Sequence, residues 1–186
     1  MGEAALATLT DDLDAGFAEL YAAHRTVVFS TALRITGRWA DAEDLTAEAF
    51  LRAYRALTDY DADRIGELQP RSWLLTILLN TWRNSRRTAA HQPATTPLEY
   101  APEPADPAES VEQRAERHET GRALAAMLLR LPENQRVAVV LRHVSGLSIE
   151  EIAEVLEVPA GTVKSHISRG LTRLRALHDT PSGGVS

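Results

Sequence analysis

The sequence predicts an all-α fold in which two small helical domains are joined by a linker rich in proline and acidic residues. Three observations support this prediction. Apolar residues recur every three or four positions on both sides of the chain's centre, as they do in amphipathic helices. No long stretch alternates with the period of two that is typical of strands. Five of the nine prolines fall between residues 93 and 107.

The first domain is predicted at residues 13–88, with three long helices. In the first two, apolar side chains follow one helical stripe over residues 14–35 and 41–57. A polar loop is expected at residues 58–69. Pro70 then suits the first turn of the third helix, which should continue to about Thr88. The preceding residues, 1–12, are expected to form a flexible N-terminus.

The linker is expected at residues 89–110, because a proline-rich, acidic segment with few aromatic residues cannot bury enough apolar surface to fold. The alternative is a loop that packs on one globular domain. The second domain is predicted at residues 111–178, followed by a disordered tail at 179–186. Its predicted helices span residues 111–131, 133–145, 149–158 and 162–178, and Ser148 and Glu151 have the spacing of a capping box.

The composition excludes several classes of function. The 186 residues include no cysteine, which excludes disulfides, a cysteine-ligated zinc site and a thiol nucleophile. No apolar run approaches the roughly 18 residues that span a bilayer, and the first residues lack the basic segment and apolar core of a signal peptide. We therefore expect a cytoplasmic protein with no membrane-inserted segment, no cofactor and no metal site.

The last two predicted helices form a helix-turn-helix. Pro159 is expected to end the first helix, and Gly161 to permit the turn. Between residues 161 and 177 the second helix carries four cationic residues and no acidic residue, although the whole chain has a net charge of −6. Because the major groove admits one helix, this pattern favours DNA reading over a merely solvated basic face.

A second cationic segment lies in the first domain, where residues 71–87 contain four arginines and no acidic residue. Trp73 and Trp82 lie in the same segment. Aromatic rings stack on bases while guanidinium groups contact phosphates, a combination that suits single-stranded DNA. The alternative for Trp73 is an ordinary core position. Arg86 and Arg87, at the end of the helix, are expected to contact the DNA backbone.

In their order along the chain, these motifs resemble those of bacterial extracytoplasmic-function (ECF, group 4) RNA polymerase sigma factors. Residues 41–54 resemble the second sigma region, which docks on core polymerase, and residues 73–87 resemble the part that melts and reads the −10 element. Residues 131–165 resemble the fourth region, which reads the −35 element. The resemblance implies a sigma region 2 helical bundle, a sigma region 4 helix-turn-helix domain and a function in promoter recognition, DNA melting and transcription initiation.

The resemblance assigns residues to three surfaces and implies an anti-sigma factor as a further partner. The residues that would form or support the core-polymerase surface are Asp41, Asp44, Leu45, Glu48 and Phe50. The residues that would contact the −10 element, where the loop at 58–69 caps a flipped base, are Tyr60, Trp73, Asn80, Arg83, Arg86 and Arg87. The residues that would contact the −35 element are Thr162, Lys164, Ser165, His166, Ser168, Arg169 and Arg173.

Three positions depart from the family pattern. Ala47 stands where glutamine is common, Asn84 where aspartate is frequent and His166 where arginine is frequent. A neutral histidine lacks the planar fork of arginine, so the base preference at His166 is left open. A single lysine, Lys164, among 20 basic residues is typical of a GC-rich genome, such as that of an actinobacterium.

Two other classes of function remain as alternatives. A two-domain repressor or activator would bind duplex DNA without core polymerase, and it would leave the acidic residues at 41–48 unexplained. An enzyme is less favoured, because the six histidines form no His-Glu-x-x-His pair and no glycine-rich phosphate loop is present. The acidic residues at 59–63 resemble a calcium loop, but Arg64 stands where that loop needs glycine.

Overall fold

A computed structural model describes residues 3–89 and 123–179, and all regular secondary structure in these ranges is helical. The first range contains α1 (Glu3–Asp11), α2 (Leu13–Thr36), α3 (Trp39–Thr58), α4 (Ala62–Gly66) and α5 (Pro70–Ala89). In the second range, residues 123–129 are helical and precede α6 (Glu133–His143), α7 (Ile149–Leu156) and α8 (Ala160–Asp179). The predicted all-α fold is confirmed. The predicted linker and tail lie outside the described residues, apart from Ala89 and Asp179, which end α5 and α8.

Capping residues lie at the ends of these helices. The Asp12 carboxylate accepts a hydrogen bond from the Ala15 N–H at 3.0 Å, which caps α2, and Gly37 ends this helix in the left-handed region with φ of 75°. The predicted capping box of α7 is confirmed. Its two hydrogen bonds run from the Glu151 N–H to the Ser148 hydroxyl (3.0 Å) and from the Ser148 N–H to the Glu151 carboxylate (2.7 Å).

Residues 3–11 form helix α1, although the sequence predicts a flexible segment at residues 1–12; residues 1 and 2 lie outside the described ranges. Helix α1 packs against α2 and α4. Leu9 is only 2% exposed, and a Cβ added at Gly16 would lie 2.5 Å from the Leu9 Cα. The burial of Leu9, together with the close backbone approach that Gly16 allows, stabilises α1 on the bundle.

The polar loop predicted at residues 58–69 contains the short helix α4. The Asp61 carboxylate caps α4 by accepting a hydrogen bond from the Arg64 N–H at 2.9 Å, and Ile65 anchors it in the core at 4% exposure. Asp61, one of the acidic residues of this loop, therefore caps α4.

The turn of the helix-turn-helix differs from the prediction. Gly161 lies within the first turn of α8 and not in the turn between the helices. The left-handed residue is Glu157, which ends α7 with φ of 56° and ψ of 43°. The carbonyl of Pro159 accepts hydrogen bonds from the N–H groups of Thr162 (2.8 Å) and Val163 (3.2 Å). Pro159 therefore lies at the N-terminal end of α8, immediately before Ala160, and does not end α7, whose last residue is Leu156.

The two helical parts share a continuous apolar core. In the first part α2, α3 and α5 pack together, and in the second part α6 and α8 pack together with α7 beside them. Helix α6 also contacts α2, and α7 contacts α5, so the buried side chains of both parts belong to one cluster. Within the described ranges, no helix is long and apolar enough to cross a membrane.

Candidate nucleic-acid and polymerase interfaces

Helix α8 buries one face and exposes a cationic one. Val163 (0% exposed) and Ile167 (9%) face the core. Gly170 brings α8 close to α6, since a Cβ at this position would lie 2.7 Å from the Val139 Cγ2 atom. The absence of a side chain at Gly170 therefore permits this close approach of α8 to α6.

The residues predicted to contact the −35 element lie on the exposed side or the flanks of α8. Five are exposed: Lys164, Ser165, Ser168, Arg169 and Arg173. Thr162 and His166 are half-buried, and the His166 Nδ1 atom is buried with no hydrogen-bond partner among the described residues. The cationic side chains are therefore accessible to phosphates and base edges, whereas His166 reaches solvent with only part of its ring.

An open groove of about 390 Å³ runs beside this face. Its apolar lining includes Ile149, Ile167 and Leu171, and cationic side chains from α6 and α8 surround it. The prediction missed two of these cationic residues, Arg142 and Arg175. Arg175 lies seven residues, or about two helical turns, after Ser168 on the same side of α8, so helical spacing would have identified it.

In the first domain, Tyr60 and Trp73 form an aromatic pair beside α4. Their ring centroids lie 6.1 Å apart, and the Arg64 guanidinium lies 3.7 Å from the Tyr60 ring centroid. Both aromatic residues are half-buried, so each keeps part of its ring in solvent. Trp82 is only 5% exposed and belongs to the core, which excludes it as a surface for base stacking. Arg64 was not predicted as part of this site.

The second half of α5 carries the remaining residues predicted for the −10 element. Asn80, Arg86 and Arg87 are exposed, and Arg83 is half-buried. The Arg83 guanidinium donates to the Asn80 side-chain oxygen at 3.5 Å, and Arg87 donates to the side-chain oxygen of Asn84. These contacts orient the guanidinium groups along one side of the helix.

Helix α3 carries the residues predicted for the polymerase surface, and they divide into two groups. Asp44 is exposed, and Asp41 and Glu48 are half-buried. Leu45 (7% exposed) and Phe50 (4%) lie in the core, so they can support this surface but cannot contact a partner directly. The acidic side chains thus form the accessible part.

Two exposed apolar residues extend the same surface. Leu51 on α3 is 45% exposed and Tyr21 on α2 is 43% exposed, with the Tyr21 ring centroid 4.7 Å from that of Phe50. The prediction missed both. Leu51 lies three residues after Glu48, on the face of α3 where periodicity predicts only polar residues.

Taken together, these features describe an all-helical protein that exposes one cationic helix in each of its two parts, a pattern typical of DNA-binding proteins. Models of two families match the chain: Sigma-70 region 2 over residues 20–92 and Sigma-70, region 4 over residues 121–174.

Curated relatives are similar over most of the chain. ECF RNA polymerase sigma factor SigE of Mycolicibacterium smegmatis is 38% identical over 159 residues, which cover 84% of this chain and 59% of SigE. SigM of Mycobacterium tuberculosis is 34% identical over 171 residues, covering 91% of this chain and 81% of SigM. Among solved structures, CnrH in complex with the cytosolic domain of CnrY has a TM-score of 0.70 and 27% identity, with 97% of this chain and 98% of the CnrH chain covered.

The chain therefore belongs to the ECF family of RNA polymerase sigma factors, whose members recognise promoters and direct transcription initiation.

Proposed function

We propose that this chain is a group 4 sigma factor that joins core RNA polymerase, reads the −10 element with α5 and the −35 element with α8, and promotes promoter melting. One observation carries the proposal. In a chain of net charge −6, each helical part exposes one strongly cationic helix, and α3 exposes an acidic surface instead. Two separate cationic helices match two separate DNA elements.

At the −10 element, α5 and the neighbouring loop would bind the melted strand. A flipped base would stack on the half-buried pair of Tyr60 and Trp73, which offsets a cost of a few kcal/mol for unstacking it. Asn80 presents an amide to base edges. The arginines at the end of α5, Arg83, Arg86 and Arg87, would hold backbone phosphates.

At the −35 element, α8 would enter the major groove. Lys164, Arg169 and Arg173 would contact phosphates or guanine, and a bidentate arginine–guanine contact contributes about 1–3 kcal/mol of discrimination. The hydroxyl groups of Thr162, Ser165 and Ser168 would add hydrogen bonds to bases or phosphates. The half-buried His166 would contact DNA, but it could not make the bidentate contact that the planar guanidinium of an arginine makes.

On α3, the carboxylates of Asp41, Asp44 and Glu48 would contact core polymerase, supported from below by Leu45 and Phe50. The exposed apolar residues Tyr21 and Leu51 would widen this contact.

The proposed domains are residues 13–88 for core polymerase and the −10 element and residues 111–178 for the −35 element, with the linker at 89–110 between them. Helix α1 adds to the first domain. We further propose a cytoplasmic location and a role as a DNA-binding regulator without an enzymatic activity of its own. The identity to mycobacterial relatives and the bias to arginine support an actinobacterial origin.

An anti-sigma factor is a further proposed partner. The structurally similar CnrH was solved in complex with the cytosolic domain of CnrY, and RpoE of Bartonella quintana, at a TM-score of 0.66, in complex with the anti-sigma factor NepR. Because the chain has no cysteine, any thiol-based redox sensing would reside in that partner.

Binding to core polymerase tests the proposed surface on α3. The double substitution Asp44→Lys and Glu48→Lys should weaken the affinity of the full chain for core polymerase by about tenfold or more, because it replaces two carboxylates by cations. The measurement is a fluorescence-anisotropy titration of labelled protein with core polymerase.

The control is Glu43→Lys, which changes the charge at an exposed position of the same helix that points about 100° away from Asp44. An equal loss of affinity for core polymerase in both variants would contradict the proposed polymerase surface on α3. If the wild-type chain failed to bind core polymerase but bound promoter duplex alone, a repressor or activator would be the better description.

A further inference from the structure

The geometry of the aromatic pair in the first domain depends on where α4 lies. Tyr60 directly precedes the residue that caps α4, and Arg64 belongs to α4 itself. The Arg64 guanidinium lies 3.7 Å from the Tyr60 ring centroid, and the ring centroids of Tyr60 and Trp73 lie 6.1 Å apart. A displacement of α4 would therefore move Arg64 and Tyr60 relative to Trp73, which belongs to α5.

Helix α4 is too short to hold this position alone. It has five residues, and isolated helices of fewer than about 12–15 residues are marginal in water. Four of its residues are exposed, and Ile65 is the buried one at 4% exposure. The Asp61 cap satisfies the Arg64 N–H, but it does not attach α4 to the bundle. The neighbours of Ile65 must therefore fix the position of α4.

Helix α1 is the main packing partner of α4 among the described helices. Leu9 of α1 is 2% exposed and Leu6 is half-buried, and both belong to the apolar cluster that contains Ile65. Helix α1 also packs against α2, where a Cβ at Gly16 would lie 2.5 Å from both the N and the Cα atoms of Leu9. The absence of a side chain at Gly16 therefore lets α1 lie against α2 while it contacts α4.

The connection between α1 and α2 keeps α1 in this place. The Asp12 N–H donates a hydrogen bond to the Thr8 carbonyl at 2.9 Å, and the Gly16 N–H donates to the Asp12 carbonyl at 2.9 Å. Asp12 is thus hydrogen-bonded to both helices. The Sigma-70 region 2 model matches the chain from residue 20 onwards, so α1 and this connection lie outside the matched residues. The support of α4 by α1 is therefore a feature of this chain's own residues.

We propose that α1 positions the loop that selects the flipped base of the −10 element. In this role, Leu9 holds α4 so that Arg64 and Tyr60 keep the arrangement that receives the base. The phosphate-binding arginines lie at the end of α5, which packs mainly against α2, α3 and α7 among the described helices. Phosphate binding should therefore survive a displacement of α1, whereas base selection should not. This inference rests on the proposed function.

Gly16→Ala tests this role, because it displaces α1 without altering any residue of α4 or α5. The new methyl group would overlap the backbone of Thr8 and Leu9, so α1 must move away from α2. Wild-type and variant holoenzymes are incubated with a pool of random single-stranded DNA of about 12 nucleotides, and the bound molecules are sequenced. We expect base enrichment at the flipped position to fall by about fivefold or more, the effect of losing one base stack. Total affinity for the labelled pool should stay within about twofold, because the phosphate contacts remain.

Three further variants separate positioning from general stability. Gly161→Ala makes the same change in α8, where a Cβ meets nothing within 4 Å, and should leave base enrichment unchanged. Leu9→Ala removes the buried side chain and should lose enrichment as Gly16→Ala does, whereas Leu9→Met, of nearly equal volume, should restore it. A fluorescence-anisotropy titration with core polymerase should give wild-type affinity for all four variants, because the proposed polymerase surface lies on α3 and the main partners of α1 are α2 and α4.

Unchanged base enrichment in Gly16→Ala and Leu9→Ala would overturn the positioning role of α1. A parallel loss of core-polymerase affinity in these two variants would also overturn it, because α1 would then support the fold as a whole. A wild-type holoenzyme that enriches no base relative to core polymerase alone would instead contradict the proposed reading of the −10 element. That outcome is distinguishable, since it concerns the wild-type protein before any variant is compared.

Discussion

His24 shows how a single buried residue makes the stability of the fold depend on pH. It lies in α2 at 5% exposure, and its Nε2 atom has no hydrogen-bond partner among the described residues. Burial, and to a lesser extent the positive charge of Arg71, lowers the pKa of His24 below its ordinary value. His24 is therefore protonated less readily in the folded chain than in the unfolded chain.

The sign of the pH dependence follows from this shift. As the pH falls through about 6.5, the unfolded chain gains a proton at His24 and the free energy of unfolding declines. His24→Gln should remove the contribution of His24 to this pH dependence. The free energy of unfolding should therefore fall less between about pH 7.5 and 5.5 than in the wild-type protein. Urea unfolding at several pH values measures the difference. The exposed His143→Gln is the control, and an unchanged slope in His24→Gln would contradict the account.

At the scale of the helix, the position of the exposed cationic face of α8, proposed to read DNA, depends on the close approach of α8 to α6. Gly170→Ala places a methyl group 2.7 Å from the Val139 Cγ2 atom and 3.4 Å from the Gln135 carbonyl oxygen. The helices must separate to accommodate it, which should lower the free energy of unfolding by about 1–3 kcal/mol and weaken promoter binding by the holoenzyme.

Gly161→Ala provides a matched control in the same helix. A Cβ at Gly161 meets nothing within 4 Å, and alanine favours a helix over glycine by up to about 1 kcal/mol. This variant should keep or slightly raise stability, as measured by urea unfolding. Equal destabilisation in the two variants would show that the α6–α8 approach is not what positions the reading face.

The long helices could be predicted from the sequence because each buries a stripe of apolar residues that repeats with the helical period. Helices α1 and α4 could not be predicted in this way, since their formation depends on burying Leu9 and Ile65 against distant parts of the bundle. The turn of the helix-turn-helix was misassigned because glycine normally takes the left-handed position, which Glu157 occupies here.

At the scale of the whole molecule, the sequence predicted two domains but not their contact. Thr31 and Ser145 are 114 positions apart, and neither has a local pattern that indicates a partner. The exposed positions on α8 followed from helical spacing and the family resemblance. In contrast, Arg64 and Leu51 join their surfaces only through tertiary packing, which no sequence period records.

Run-off transcription with purified core polymerase, followed by mapping of the start sites, tests the central claim most directly. We expect transcripts from defined start sites only when both the chain and core polymerase are present, with shared sequences near −10 and −35 upstream of each start. Defined start sites that do not depend on this chain, or promoter binding by the chain alone without any initiation, would contradict it.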